Sequence, residues 1–345
     1  MFITCGHQND VVTLDSYPTK KNRRYVKKIE YALGTLYQEA LYVLTTDVDS
    51  RYQTIFLPKR KGGKRRIDVP DEELKKFQRK VVDFFLRANL LFPANVHSYV
   101  KSRSNKTLGE RHTEDDVLMH FDLKDFFHNC TMKLIMDAML ETYPFALMPP
   151  EILQVVLGSC MLFYDGDYRL PQGAPSSPFW SNVAMIPFDA IMDRQLMYGP
   201  YHYSRYADDI FVSYQYQKLG RYTNNEGVRR KIFIPKRVNE IVSNYGLVLN
   251  ETKTYVAYPQ KSAALMLGVT ISADGVKIGH HNKQLLKAGL WEFLADMRDG
   301  KRWDLQRRSQ LMGKLAYARF IEPDYVDNLI KKYEKKSGME LNGWM

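Results

Sequence analysis

Residues 205–214 read RYADDIFVSY. The aromatic and β-branched residues on either side of Asp208 and Asp209 describe two strands, YHYSRY and DIFVSY, that turn at the aspartates. Adjacent carboxylates repel each other, and the surrounding Tyr, Ile, Phe and Val withdraw them from water, so the arrangement is costly without compensation. A positive charge belongs there. A third acid, Asp122, emerges from the apolar strand of VLMHFDLKDFF. With that strand beside the hairpin, the three carboxylates converge on one site for a hard cation. Oxygen donors without His or Cys favour Mg²⁺ or Mn²⁺ over zinc. An isolated Asp-Asp pair more often marks a solvated turn, so the weight falls on its neighbours.

The chain has 345 residues, a length that suggests two or three subdomains, and 50 Lys+Arg against 39 Asp+Glu give it a formal charge of +11. With 23 Tyr and 17 Phe, this balance suits a partner made of phosphates and stacking bases. Cys5, Cys130 and Cys160 have no metal-type spacing, and an odd number argues against a disulfide framework. The opening MFITCGHQND lacks the features of a signal peptide, and no apolar run approaches a membrane span. The expectation is a soluble, cytoplasmic protein without a membrane partner.

Residues from about 20 to 45 read as a helix with apolar positions Ile29, Leu33, Leu36, Ala40 and Leu44. YQTIFLPKRKGGKRRIDVP is a basic hairpin with a Gly-Gly turn, mounted on the helical DEELKKFQRKVVDFFLRANLL. The segment after FDLKDFF is helical to about Leu162, with Pro149-Pro150 opening a second helix, and LPQGAPSSP is a loop leading into another. Ser176 and Ser177 are placed to cap that helix. IPKRVNEIVSNYGLVLNETKTYVAY reads as a helix and a hairpin, and ALMLGVTISADGVKIG as a hairpin turning at Ala-Asp-Gly. From about Asn282 the pattern is helical and basic. His97 and His280-His281 lack a ligand constellation, and Trp291 and Trp303 read as packing residues.

In this order the motifs resemble those of reverse transcriptases, from about Tyr52 to Phe320. YADD looks like the family's catalytic hairpin, FDLKDFF like its first metal-binding motif and LPQGAPSSP like the loop that shapes its nucleotide pocket. GGKRRIDVP, GLVLNETKT and LMLGVTI are similar to the fingers motif, the lysine-bearing motif and the primer-grip hairpin. The resemblance implies an α+β right-hand polymerase with fingers, a palm built on an antiparallel sheet, and a helical thumb. Its divisions are an N-terminal helical extension at 1–50, fingers at 51–115, palm at 116–280 with a fingers-side insertion near 130–180, and thumb at 281–345.

It also implies roles. Asp122 and Asp208 hold two Mg²⁺ ions, or Mn²⁺ in their place, with Leu123 beside them and Asp209 assisting. Backbone N–H groups near Lys124, Asp125 and Phe126 meet the triphosphate, and Lys64 and Arg66 neutralise it. Gln172 and Gly173 line the base and sugar. Phe127, with Phe126 as the neighbouring register, fills the space of a ribose 2′-hydroxyl and selects dNTPs. Lys253 is the general acid for pyrophosphate. Arg307, Arg308 and Lys314 hold the template–primer duplex by its backbone.

The segment after the last hairpin has room for a thumb and not for RNase H, maturase, integrase or HNH endonuclease domains. QGAPSSP resembles the loop of bacterial retron and defence-associated enzymes. The Asn-Ala-x-x-His element of retron enzymes is missing, and Val269-Thr270-Ile271 has Ile where their Val-Thr-Gly has Gly. The expectation is a defence-associated enzyme copying a dedicated noncoding RNA into DNA, with an effector protein as partner. The alternatives are a retron enzyme making RNA-linked multicopy single-stranded DNA, a template-independent or protein-primed polymerase, and a nucleic-acid-binding scaffold without catalysis.

Overall fold

The computed structural model describes residues 20–58, 62–88, 90–196, 201–216 and 227–341. Cys5, the first 19 residues of the N-terminal extension and the Ile29 side chain lie outside the described parts. Helix α1 (Lys20–Thr45) precedes the hairpin of β1 (Tyr52–Pro58) and β2 (Lys64–Pro70), then α2 (Glu72–Arg87) and the short α3 (Asn105–Glu110). Strand β3 (Val117–Asp122) is followed by α4 (Phe126–Asn129), α5 (Met132–Leu140), α6 (Pro150–Gly158) and the hairpin of β4 (Leu162–Tyr164) and β5 (Asp167–Arg169). Helices α7 (Ser177–Ala184) and α8 (Ile186–Leu196) lead to β6 (Tyr201–Tyr206), β7 (Asp209–Tyr214) and α9 (Gly227–Asn244). Then come β8 (Tyr255–Ala257), β9 (Ala264–Met266), β10 (Val269–Ser272), β11 (Gly275–Lys277) and helices α10 (His280–Arg298), α11 (Leu305–Ile321) and α12 (Pro323–Ser337). Helices and antiparallel sheets together make the chain α+β.

The chain divides into two compact units, one of Met1–Leu91 with Phe127–Met185, the other of Phe92–Phe126 with Ile186–Met345. In the first, α1 buries Leu33, Leu36, Ala40 and Val43. The helical spacing passes through Val43 rather than the expected Leu44, which is exposed. Phe85 of α2 packs its ring 4.7 Å from Phe145 and 5.4 Å from Trp180, forming an aromatic core. Asp71 caps α2, its side chain accepting from the Leu74 N–H at 2.7 Å. The basic hairpin pairs in register from Tyr52 opposite Pro70 to Pro58 opposite Lys64.

The second unit is built on a four-stranded antiparallel sheet ordered β6-β7-β3-β8. Every residue of β3 is buried, as befits an inner strand with both edges paired. A meander of β9, β10 and β11 lies against this sheet through Leu118, Phe211, Ala264, Met266 and Ile271. Helices α10, α11 and α12 enclose a separate core that includes Leu290, Phe293, Leu315, Val326 and Ile330.

Several local expectations are corrected. GLVLNETKTYVAY is not a hairpin: Leu249 bridges Leu123, a 3₁₀ turn covers Glu251–Lys253, and β8 adds to β3 instead of folding back. The next segment has three strands, because the first arm of the predicted hairpin turns at Leu267-Gly268 and folds Ala264–Met266 back onto β10. Ser176 makes no cap bond, and Ser177 Oγ donates to the Pro171 carbonyl at 2.7 Å, tying down the loop before its helix. Phe126 and Phe127 open α4 rather than continue a strand, so they are about a helical step apart instead of on opposite faces.

Candidate active site

Strand register builds the acidic centre. Asp122, the last residue of β3, stands opposite Asp209, the first of β7, while Asp208 occupies the turn between β6 and β7. Residues directly opposite in an antiparallel pair share a face. The Leu123 N–H donates to the Asp208 carbonyl at 2.9 Å and the Asn250 N–H to the Asp122 carbonyl at 2.8 Å, so backbone bonds fix both positions. The Lys124 N–H donates to the Val248 carbonyl at 2.8 Å, which removes it from the expected phosphate-binding group.

The turn rests on a buried support that sequence reasoning missed. The Arg205 guanidinium places Nε 2.8 Å from Asp189 Oδ1 and Nη2 2.8 Å from Oδ2, and its Nη1 donates to the Ala207 carbonyl at 3.1 Å. Tyr203 adds an O–H bond to Asp189 at 2.6 Å, and Ser98 Oγ accepts from the Ala207 N–H at 2.8 Å. Ala207 has φ 55°, a left-handed conformation unusual for a residue with a Cβ. These bonds hold it there.

Each carboxylate has a different environment. Asp122 Oδ2 is 2.7 Å from Lys253 Nζ, and its Oδ1 is buried without a hydrogen-bond partner. Asp209 Oδ1 lies 2.6 Å from His120 Nε2, a contact absent from the sequence reading although strand alternation puts His120 on the face of Asp122. Burial, then the charges of Asp209 and Asp122, push the Asp208 carboxyl up to about 6. Burial alone would lower Lys253, but its bond to Asp122 and the surrounding acids outweigh this and raise its pKa. A cleft of about 570 Å³ opens beside Asp209 and His120, walled by Phe211, Tyr255, Tyr258 and Leu267.

Among the described residues, no three His, Cys, Asp or Glu side chains stand in ready-made metal coordination. Lys253 and His120 occupy one oxygen each of Asp122 and Asp209. The centre nevertheless fits a divalent cation. An orphaned buried carboxylate oxygen and a second carboxyl held above its ordinary range by burial and then by like charge are the two conditions that a hard cation relieves.

The other sequence-predicted residues are held as follows. In the first unit, Arg66 Nε bonds Asp68 Oδ1 at 2.8 Å while its guanidinium covers the Tyr164 ring at 4.2 Å. Lys64 is exposed on the same strand. The Asp68 N–H donates to the Gln172 carbonyl at 2.8 Å, which ties the pocket loop to the basic hairpin. Gly173 has φ 125°, and a Cβ there would lie 2.8 Å from Ile67 Cγ2 and 2.9 Å from the Asp68 carbonyl oxygen. That close approach requires glycine. Phe126 is buried and Phe127 half-buried, and Asp125 is exposed with φ 45°. In the helical core of the second unit, Arg307 lies 3.8 Å over the Trp303 ring with Nη2 2.6 Å from Glu292, Arg308 is half-buried and Lys314 exposed. Trp303 donates to Asp296 at 2.9 Å.

The sequence matches the reverse transcriptase (RNA-dependent DNA polymerase) family over residues 57–271, and the chain belongs to that family. It is 27% identical over 296 residues to the retron Mx65 reverse transcriptase of Myxococcus xanthus, covering 81% of this chain and 64% of that relative. It is 25% identical over 311 residues to the retron Ec83 reverse transcriptase of Escherichia coli, covering 88% and 94%. Both relatives are retron reverse transcriptases, and the chain spans somewhat less than two thirds of the length of the first. A telomerase structure from Candida tropicalis is 16% identical at a TM-score of 0.45, covering 84% of this chain and 55% of that one. Family membership carries the right-hand polymerase fold and a general dependence on divalent metal. No helix among the described residues is long and apolar enough to cross a membrane.

Proposed function

We propose that this chain is an RNA-directed DNA polymerase of the retron type, extending a 3′-hydroxyl with dNTPs on a dedicated noncoding RNA. The observation that carries the reading is the β3–β7 register, which sets Asp122 opposite Asp209 with Asp208 at the adjoining turn. The retron relatives favour the retron enzyme over the other defence-associated type first expected. A role in antiphage defence, with an effector protein as partner, extends the same reading. In it, 1–50 is an N-terminal extension, 51–115 the fingers, 116–280 the palm and 281–345 the thumb.

Asp122 and Asp208 hold two Mg²⁺ ions, for which Mn²⁺ substitutes, with Leu123 alongside and Asp209 assisting. Bound there, the ions supply charge that lowers the pKa of the attacking hydroxyl and stabilises the leaving pyrophosphate. Lys253 gives its proton to the departing pyrophosphate, and its raised pKa keeps it protonated at neutral pH. Arg66, set by Asp68 and Tyr164, and Lys64 are the proposed cations for the triphosphate, and the backbone N–H groups at Asp125 and Phe126 its proposed donors. Gln172 and Gly173 line the base and sugar. The Phe127 ring excludes a 2′-hydroxyl. Arg307, Arg308 and Lys314 hold the duplex backbone.

The test is incorporation of labelled dNTPs and NTPs with Mg²⁺ on a primed RNA template, with co-purified RNA added in a parallel reaction. DNA synthesis that Asp122→Asn lowers by roughly 10³-fold or more supports the reading. Phe127→Ala is expected to improve the use of NTPs relative to dNTPs by about 10–200-fold, the range that loss of a steric contact gives. Synthesis absent in both reactions would favour the scaffold reading.

A further inference from the structure

His120 is a buried side chain to which the proposed chemistry gives no part. Its Nε2 is 2.6 Å from Asp209 Oδ1 and its Nδ1 3.1 Å from the Lys253 carbonyl oxygen. An oxygen atom thus stands at hydrogen-bond distance from each ring nitrogen. Phe211 and Tyr255 bracket it with ring centroids at 4.9 and 4.7 Å, which fixes the plane of the imidazole. Lys253, whose backbone His120 grips, reaches with its ammonium to Asp122 Oδ2 at 2.7 Å. One side chain therefore links the carboxylate at the start of β7 to the turn whose lysine holds the carboxylate at the end of β3.

We infer that His120 is a positioning residue for the divalent-cation site, holding Asp209 and the Lys253 turn in place at the acidic centre. The inference rests on the polymerase reading for its biological meaning, though not for its test. An ordinary core histidine would satisfy its nitrogens with structural groups. Here one bond ends on an acid of the site, and the other on the backbone of the lysine that neutralises a second. Removing a partner that orients a ligating carboxylate lowers metal affinity, typically by 10–100-fold.

The experiment is Mn²⁺ binding to the purified full chain, read by electron paramagnetic resonance of the free ion, with melting temperature and steady-state dNTP kinetics alongside. His120→Leu should weaken Mn²⁺ binding by about tenfold and lower kcat more than it raises the KM for dNTP. His120→Gln, whose amide donor reaches the place of Nε2, should return to within about threefold of the starting protein. His120→Asn, which reaches only toward Lys253, should behave as Leu does. The inference falls if Leu binds Mn²⁺ as the starting protein does, if Gln is no better than Asn, or if the starting protein takes up no Mn²⁺. Should Leu fail to fold, the Gln–Asn contrast decides. If Mn²⁺ binding follows the expected order while no template supports DNA synthesis, the positioning role stands and the polymerase reading falls.

Discussion

Asp189 and Asp208 belong to the same unit, and the more deeply buried of them is the better satisfied. Asp189 is fully withdrawn from water and receives a two-point Arg205 fork and the Tyr203 hydroxyl. Asp208 is only half-buried, yet burial and the neighbouring Asp209 charge raise its carboxyl to about 6. Depth therefore does not measure the cost of a buried charge; the supply of partners does. The first acid is part of the scaffold. The second is kept poorly compensated just past Arg205, whose guanidinium ends on the Ala207 carbonyl.

Breaking the satisfied site should have the largest effect. Arg205→Met leaves Asp189 buried without its fork and is expected to cost about 3–5 kcal/mol in urea denaturation. Relieving the unsatisfied site should act in the opposite direction. Asp208→Asn is expected to raise stability at pH 7–8 by about 2 kcal/mol, discounted for partial exposure, while abolishing DNA synthesis. The native carboxyl, with its raised pKa, binds more protons than the unfolded chain between its ordinary value of 3.8 and about 6. Stability should accordingly fall as pH rises through that window, and the variant should flatten the fall; a variant no more stable than its parent at pH 8 would end the contrast. Tyr203→Phe removes one bond from Asp189 and leaves the fork, for a loss of about 1–2 kcal/mol.

Local pattern made part of this visible from the residues alone. The apolar run before Asp122 and the strand–turn–strand around Asp208 follow from alternation, and the convergence of the acids follows once the strands pair. His120 lay within reach of the same logic, two residues before Asp122 on one strand face, but a histidine in an apolar strand carries no signal of its bond to Asp209. Arg205 and Asp189 are 16 residues apart on different elements, and only tertiary packing joins them. The turn at Glu251–Lys253 reads as part of a hairpin in the sequence, because the strand after it pairs with β3, a partner from far earlier in the chain that local pattern does not reveal. The choice of Val43 over Leu44 is a matter of helix phase, which several apolar candidates leave open.

The strand order β6-β7-β3-β8 also has a consequence for synthesis on the ribosome. Strand β3 emerges first and sits between two strands that are made later. Its six buried residues wait for β7, and then for β8 at Tyr255–Ala257, before both edges are covered. Residues 127–185, which belong to the other unit, are translated in the interval. The nascent chain thus carries an exposed apolar strand ending in an acid while the remainder of the other folding unit is made. Nascent chains stalled near residue 200 should engage chaperones more strongly than chains stalled after residue 300.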